Sequence, residues 1–536
     1  MNKIILTTSI LLVAVFTVAY LYFSSISEGS RNNDKALSLI PNDAALILEF
    51  KNDKSIHEIF SDYTVFDAII GNQKKTEISA LKSVLQNTAK LYNNSLGQSI
   101  FLSFHPQEAD SVAFLWVMLL PETLSEKEVT ETLFSNDSIT CKKNTIGNIP
   151  IIEARIKSLD RIFYLRVNQN NVSGSFSKKA LQNSLDSKTS KIGAELIAEI
   201  NRAILQNQNS PVTAFVNFKS SIPFLSGFFK NKLSGNFSLL NSFSAIATLN
   251  MNFKSDALMF NGITKTDTTQ QNYTNLFLNQ KAVKNPIRRI APDNTANYIA
   301  YGVSSYPVFH KDLQVLLKLR KDIDPLNETF AQIRNETGID PDRDIKKYWG
   351  HEFITFQLST QERFAGIQLT NGRQMQFFLE PLSLEYSENI RKLNYPGMLY
   401  YYFGDAFKQF NKPFFTIIDN QMILSNSARS LQRYVNSYSQ NPLHTDARFE
   451  NFDQLVADHS NISIFIHIKN SRSNITSSLK RNYAGIFRNE EYGLKKFYGL
   501  SFQWTSEGEH FFTNFYSGYE NKAAISDLNS VNDSLN

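Results

Sequence analysis

A single cysteine, Cys141, stands in 536 residues, so the chain has no internal disulfide and must hold its fold by burial alone. Charge of one sign is also missing: 55 basic residues stand against 50 acidic ones, for a net charge of +5. A nucleic-acid protein concentrates Lys and Arg in a stripe, whereas the short basic spots here, Arg288-Arg289 and Lys480-Arg481, read as solvated loops or helix ends. The eight histidines (His57, His105, His310, His351, His444, His459, His467, His510) are scattered, and none falls in a metal-ligand spacing. Val172-Ser173-Gly174-Ser175 lacks the flanking glycines of a nucleophile elbow, and no glycine-rich loop precedes a helix to cradle phosphate. Cys141 lies between Thr140 and Lys142-Lys143, where the lysines would favour a thiolate, but no base partner is defined and it reads as a structural thiol. These absences predict no catalytic residue, no cofactor, no bound metal and no nucleic-acid partner.

One acidic pattern needs weighing. Asp340, Asp342 and Asp344 alternate like the start of a calcium loop, yet that loop requires glycine at its sixth position and glutamate at its twelfth, and Ile345 and His351 stand there, with Glu352 one place further on. Carboxylates capping the N–H groups of a following helix are the better account.

What the chain does have begins at its N-terminus. Ile4 to Phe23 carries no charge, and at about 1.5 Å per residue a helix of that length crosses the roughly 30 Å core of a bilayer. The run continues through Tyr20, Tyr22 and Phe23 with no small-residue exit of the cleavable kind, so it reads as an uncleaved signal anchor over 1–23, with cleavage as the alternative. Lys3 before it and aromatics at its far end place the N-terminus in the cytoplasm and the rest outside. Val112 to Leu120 is apolar but too short to span, and Pro121 ends it. Asn-x-Ser/Thr sequons recur, at Asn93, Asn171, Asn327 and Asn474 among others, as a chain rich in Asn and Ser produces by composition. The expected location is the inner membrane of a two-membrane bacterium, single-pass, with the C-terminal region in the periplasm.

The second feature is internal. Ser177-Lys178-Lys179-Ala180-Leu181-Gln182 returns as Ser427-Ala428-Arg429-Ser430-Leu431-Gln432, and the same shift carries Asn170 to Asn420, Phe215 to Phe465, Asn217 to His467 and Lys219 to Lys469. Ile40-Pro41-Asn42-Asp43-Ala44 opens a strand in the first copy as Ile290-Ala291-Pro292-Asp293 does in the second. Helical spacing follows in each, Ile78 to Leu91 and Leu313 to Ile333, and strands resume after Gly97 and Gly350. Thr370-Asn371-Gly372-Arg373 is a hairpin signal between strands at Ala365 to Leu369 and Gln374 to Leu379. Each copy closes in a hairpin, turning at Lys254-Ser255-Asp256 and at Ser506 to Glu509. Strands come in adjacent runs, so the fold class is α+β: two tandem related modules with mostly antiparallel sheets and flanking helices, after an N-terminal transmembrane helix. The organisation is a flexible stalk over 24–35, a first module over 36–267, a linker over 268–289 with an apolar patch at Tyr273, Leu276 and Phe277, a second module over 290–520, and a disordered tail over 521–536. A hydrophobic content of 42% and an aromatic content of 12% suffice for more than one core.

The proline–acidic–small opening and the segment from Thr337-Gly338-Ile339-Asp340-Pro341 to Trp349-Gly350 resemble those of uncharacterised membrane-anchored bacterial envelope proteins of a domain-of-unknown-function family. The resemblance implies an anchored envelope protein and brings no activity with it. The expected function is therefore non-catalytic: binding of another envelope component, whether protein, glycan or lipid. The alternative is an extracytoplasmic enzyme whose site is assembled from dispersed residues. Aromatic strands such as Phe511 to Tyr516 read first as core and second as a greasy partner surface.

Overall fold

The computed structural model describes residues 33–519, apart from 53–70, 488–492 and scattered short loop positions. The apolar run Ile4–Phe23, most of the expected stalk and the tail from Asn521 lie outside the described residues. Among the described residues no helix is long and apolar enough to cross a membrane. The protein is α+β, with mostly antiparallel sheet and flanking helices. It divides into two compact units at Val216/Asn217.

Antiparallel strands, several of them buried on both faces, build the first unit. Strands β1 (Leu46–Lys51), β2 (Ser99–Gln107), β3 (Ser111–Leu119), β4 (Ile139–Ile146), β5 (Ile149–Ile156), β6 (Arg161–Asn168), β7 (Asn171–Ser175) and β8 (Thr213–Asn217) pair antiparallel. Their spatial order is β4-β5-β6-β7-β3-β2-β1-β8. Leu102, Trp116 and Leu165 share one face, where a void of about 70 Å³ remains among Leu81, Leu85, Trp116 and Phe163. Ile47, Phe101, Leu115 and Phe215 take the other face, with Ile47 opposite Ser103 on one side and Phe215 on the other. Two of its helices start where a side chain satisfies an orphan amide. Ser177 Oγ accepts the Ala180 N–H at the head of Lys178–Leu185, and Ser125 and Glu128 form a reciprocal capping box at Glu126–Phe134.

The second unit holds β9 (Ala245–Lys254), β10 (Ala257–Thr266), β11 (Val283–Lys284), β12 (Thr295–Gly302), β13 (Trp349–Leu358), β14 (Arg363–Leu369), β15 (Ser383–Ser387), β16 (Ile390–Leu393), β17 (Phe414–Ile418), β18 (Gln421–Ser425), β19 (His459–Ser460), β20 (Ile462–His467), β21 (Phe497–Ser506) and β22 (Phe511–Tyr519). β11 and β19 form a small separate pair. The others run β15-β16-β17-β18-β14-β13-β12-β20-β21-β22-β10-β9. One face packs aromatics on aromatics: Tyr301 stacks on Phe353 at 4.8 Å between centroids, and Phe353 meets Phe403 at 5.1 Å. The expected linker contributes to this core, since Tyr273 and Phe277 are fully buried in it. So does the helix Met398–Phe403, which is buried all round. Its tyrosines are tolerated there because each hydroxyl finds an acceptor, Tyr400 on Asp322 at 2.8 Å, Tyr401 on Asp342 at 3.0 Å and Tyr402 on the Pro341 carbonyl at 2.9 Å.

The Asn371-Gly372 hairpin is overturned. Residues Gly372–Leu379 are a helix, not a strand, and Asn371 is its N-cap, accepting the Gln374 N–H at 3.1 Å. Asn serves a cap as readily as a turn, and the buried set Gly372, Met375 and Leu379 has helical spacing. Glycine is needed for proximity, because a Cβ at Gly372 would sit 2.4 Å from the Asp419 carbonyl oxygen.

Pairings in the two units follow one register. Tyr164 opposes Ser175 in the first and Phe414 opposes Ser425 in the second; Trp116 opposes Gly174, and Ala365 opposes Leu424. The Asn42 N–H donates to the Ser190 carbonyl as that of Asp293 does to Asn441. Asn217 and His467 both cap a helix, Asn217 accepting from Lys219 N and His467 Nδ1 from Asn470 N at 3.0 Å. A polar residue is required there because it must accept an amide hydrogen. Inside the second unit, Phe229 forms a bridge with Leu479, its own counterpart at the shift that carries Ser177 to Ser427. The bridge bonds are reciprocal, Lys230 N to Ser478 O and Lys480 N to Phe228 O, both at 2.9 Å. In the ladder, β10 lies against β22 with Asn261 opposite Asn514.

Candidate functional site

The larger of two chemically capable constellations is a cleft of about 990 Å³ in the second unit. It is bounded by the turn Gly235–Ser242, the stretch Thr269–Gln271, Arg320 at the end of helix Tyr306–Leu319, Arg363 at the head of β14, and residues 405–409. Arg320 donates to Asp405 Oδ1 and to the Gln271 carbonyl, both at 2.6 Å. Burial works against its charge, but Asp405 more than offsets that and holds the guanidinium pKa above its ordinary value. Asp405 is thereby spent. Arg363 reaches only Gln409 Oε1, at 3.5 Å, and Lys408 lies over the Tyr400 ring, 5.1 Å from its centroid. Among the described residues no carboxylate pairs with either cation.

The second constellation lies in the first unit. His105 Nδ1 stands 2.7 Å from Asp43 Oδ1, and its Nε2 stands 2.8 Å from Ser103 Oγ. The distances are those of a nucleophile, base and orienting acid, but the order of exposure is reversed. Ser103 is 0% exposed in the middle of the sheet, while the Asp43 side chain is 41% exposed. An acyl carbon cannot reach a hydroxyl sealed under its own sheet, so this is a satisfied polar chain in a core. The matching positions in β13 are Phe356 and Leu358, both fully buried, with Phe356 opposite Tyr298 as Ser103 is opposite Ile47. A serine-directed fluorophosphonate should leave Ser103 unlabelled in the folded protein. Stoichiometric labelling, abolished by Ser103→Ala, would reinstate it as a nucleophile.

The sequence candidates disperse. Asp340 Oδ1 caps the turn Pro341–Ile345 by accepting from Asp342 N and Arg343 N. Asp342 pairs with Lys346 and accepts from the Tyr401 hydroxyl, and Asp344 is held down to about 2 by the Arg343 guanidinium. Each carboxylate therefore faces a protein donor. Among the described residues no group of three His, Cys, Asp or Glu side chains could hold a metal. The lysines do not activate Cys141: burial pushes its thiol up to about 11, and its Sγ lies 3.6 Å from the Leu133 carbonyl oxygen. Iodoacetamide at pH 7.5 should modify Cys141 at least about tenfold more slowly in the native protein than after unfolding in urea, because the thiolate is the reacting form. Equal rates would show a thiol that is exposed and not raised by burial. Glu352 is buried, accepts the Ile287 N–H at 2.8 Å, and is pushed up by burial to about 7. His310 and His467 are likewise buried and forced down to about 4.

The cleft residues escaped sequence reasoning because they come from five separated segments with no common spacing. The Ser103-x-His105 alternation was visible on one strand face, but its partner Asp43 lies 62 residues from His105. Comparison of the chain with protein-family models, with curated proteins and with solved structures found no match.

Proposed function

We propose that the protein is a non-catalytic, single-pass envelope protein of two tandem α+β modules, held at the inner membrane with its folded part in the periplasm. It binds another envelope component in the cleft of its second unit. The observation that carries the binding reading is the cleft itself, about 990 Å³ in volume, with two cations that no carboxylate neutralises among the described residues. Its size is that of a small-molecule site. The uncharged run Ile4–Phe23 after Lys3 supports the anchor. The matched strand registers and the paired caps at Asn217 and His467 support the tandem modules.

A photo-crosslinking residue in place of Gln409 tests the binding reading in intact cells. It should capture one discrete envelope component, and the same residue in place of the exposed Leu455 should not. Equal capture at both positions, or none at Gln409, would count against the cleft. Protease added to spheroplasts should digest the region after Ser24 while the mature N-terminus remains Met1. Protection of that region, or an N-terminus near residue 24 to 30, would overturn the anchor.

A further inference from the structure

We infer that the cleft takes a sugar-sized, polyhydroxylated molecule carrying a phosphate or carboxylate, with the anion seated between Arg363 and Lys408. The inference rests on the cleft being a binding site and adds the chemistry of what enters it. Charge is the first argument. Of the three cations lining the cleft, Arg320 is consumed by Asp405 and the Gln271 carbonyl, whereas Arg363 has one long contact to a neutral amide and Lys408 none to a carboxylate among the described residues. Two cations that line one cleft and lack a counter-charge among the described residues give an incoming anion two points of attachment, and the guanidinium fork fits a phosphate or carboxylate edge.

Backbone shape is the second argument. Gly235 has φ +64°, and a Cβ there would stand 3.1 Å from Arg363 Cζ and 3.2 Å from both Nε and Nη2. Near-equal distances to three guanidinium atoms place that point over the flat face of the group. The turn therefore covers the face and leaves the N–H edge for a ligand. Lys408 is steadied in the same way, since it rests on Tyr400, whose hydroxyl is fastened to Asp322. The rest of the lining supplies the third argument. Ser238, Thr269, Gln270 and Gln271 offer neutral donors and acceptors suited to hydroxyl groups, and among the described residues no aromatic ring lines the cleft on which a nucleobase could stack.

Full-length protein in detergent should be titrated calorimetrically with glucose 1-phosphate, glucuronate, glucose and inorganic phosphate. At least one of the two anionic sugars should bind saturably and more weakly as salt is raised, and glucose should not bind. Arg363→Gln and Lys408→Gln should each weaken that binding by about tenfold or more, as loss of a charge-assisted contact does. Both side chains are exposed, so each variant should keep the wild-type Tm. Preference for glucose 1-phosphate or for glucuronate identifies the anion. No saturable binding of either, unchanged affinity in both variants, or inorganic phosphate binding as tightly as the sugars would overturn the inference. Capture at Gln409 that persists in the Arg363→Gln chain would then leave the cleft a binding site for a different ligand, so the two readings fail separately.

Discussion

Phe465→Ala should destabilise the second unit by about 3–5 kcal/mol in urea unfolding, and Phe215→Ala should do the same to the first. Both rings are 1% exposed. Phe465 faces Tyr298 at 5.2 Å, Phe449 at 5.2 Å and Phe452 at 5.4 Å between centroids, and Gly499 opens the space for it, since a Cβ there would stand 2.8 Å from the Phe465 ring. Truncation removes apolar transfer and leaves a hole that strands pinned on both sides of β20 cannot close. Phe215 on β8 is paired with Ile47 as Phe465 is paired with Tyr298. Phe→Leu should cost clearly less than Phe→Ala at both places. A loss under about 1 kcal/mol at either would mean that the ring is not a core element.

Acid should unfold the second unit early, and His467→Asn should delay it. Burial is the main force holding His310 and His467 near 4, with Lys346 adding to it at His310 and Arg448 and Lys469 at His467. A histidine whose folded pKa lies below its ordinary 6.5 contributes stability that is fully present above that value and is lost as pH falls through it toward 4. The shift corresponds to about 3 kcal/mol per buried histidine at the acid end. At His467 the neutral ring has a second duty, because Nδ1 must be bare to accept the Asn470 N–H. Asparagine performs that duty at Asn217 without titrating. His467→Asn should keep most of the stability at pH 7 and lose less of it between pH 6.5 and 4, read from urea midpoints at several pH values. An acid slope identical to that of the wild-type chain would show that His467 is not held neutral.

Much of the fold could be read where a local pattern had only one physical solution. Phe163 to Val167 alternates between buried and half-buried and is a strand, and the β-branched, aromatic run Phe414 to Ile418 is one too; Ser177 and Ser427 precede apolar helical spacing and are caps. Asn371-Gly372 had two solutions, and the choice fell to Met375 and Leu379 reaching a core that no local window displays. Met398–Phe403 has no polar face, so periodicity could not distinguish it from a strand; its helix is fixed by three hydroxyls meeting acceptors on distant segments. The cleft was illegible for the same reason in stronger form. Arg363 and Lys408 look like ordinary surface cations until the tertiary fold shows that Asp405 belongs to Arg320.

Strand partners that lie far apart in the sequence do not have to come from the same molecule. The contacts Asn261 to Asn514 and Phe229 to Leu479 join segments far apart in the sequence, so before the stretch around Tyr273 and Phe277 docks into the core the same pairings are open to the late half of a second chain. Such an exchange keeps the pairings but must leave the stretch around Tyr273 and Phe277 undocked or redocked in a different chain; that cost and the entropy of bringing two chains together oppose it, and only the second weakens with concentration. Crowded refolding is therefore the condition that favours exchanged dimers, and dilution during refolding favours pairing within one chain.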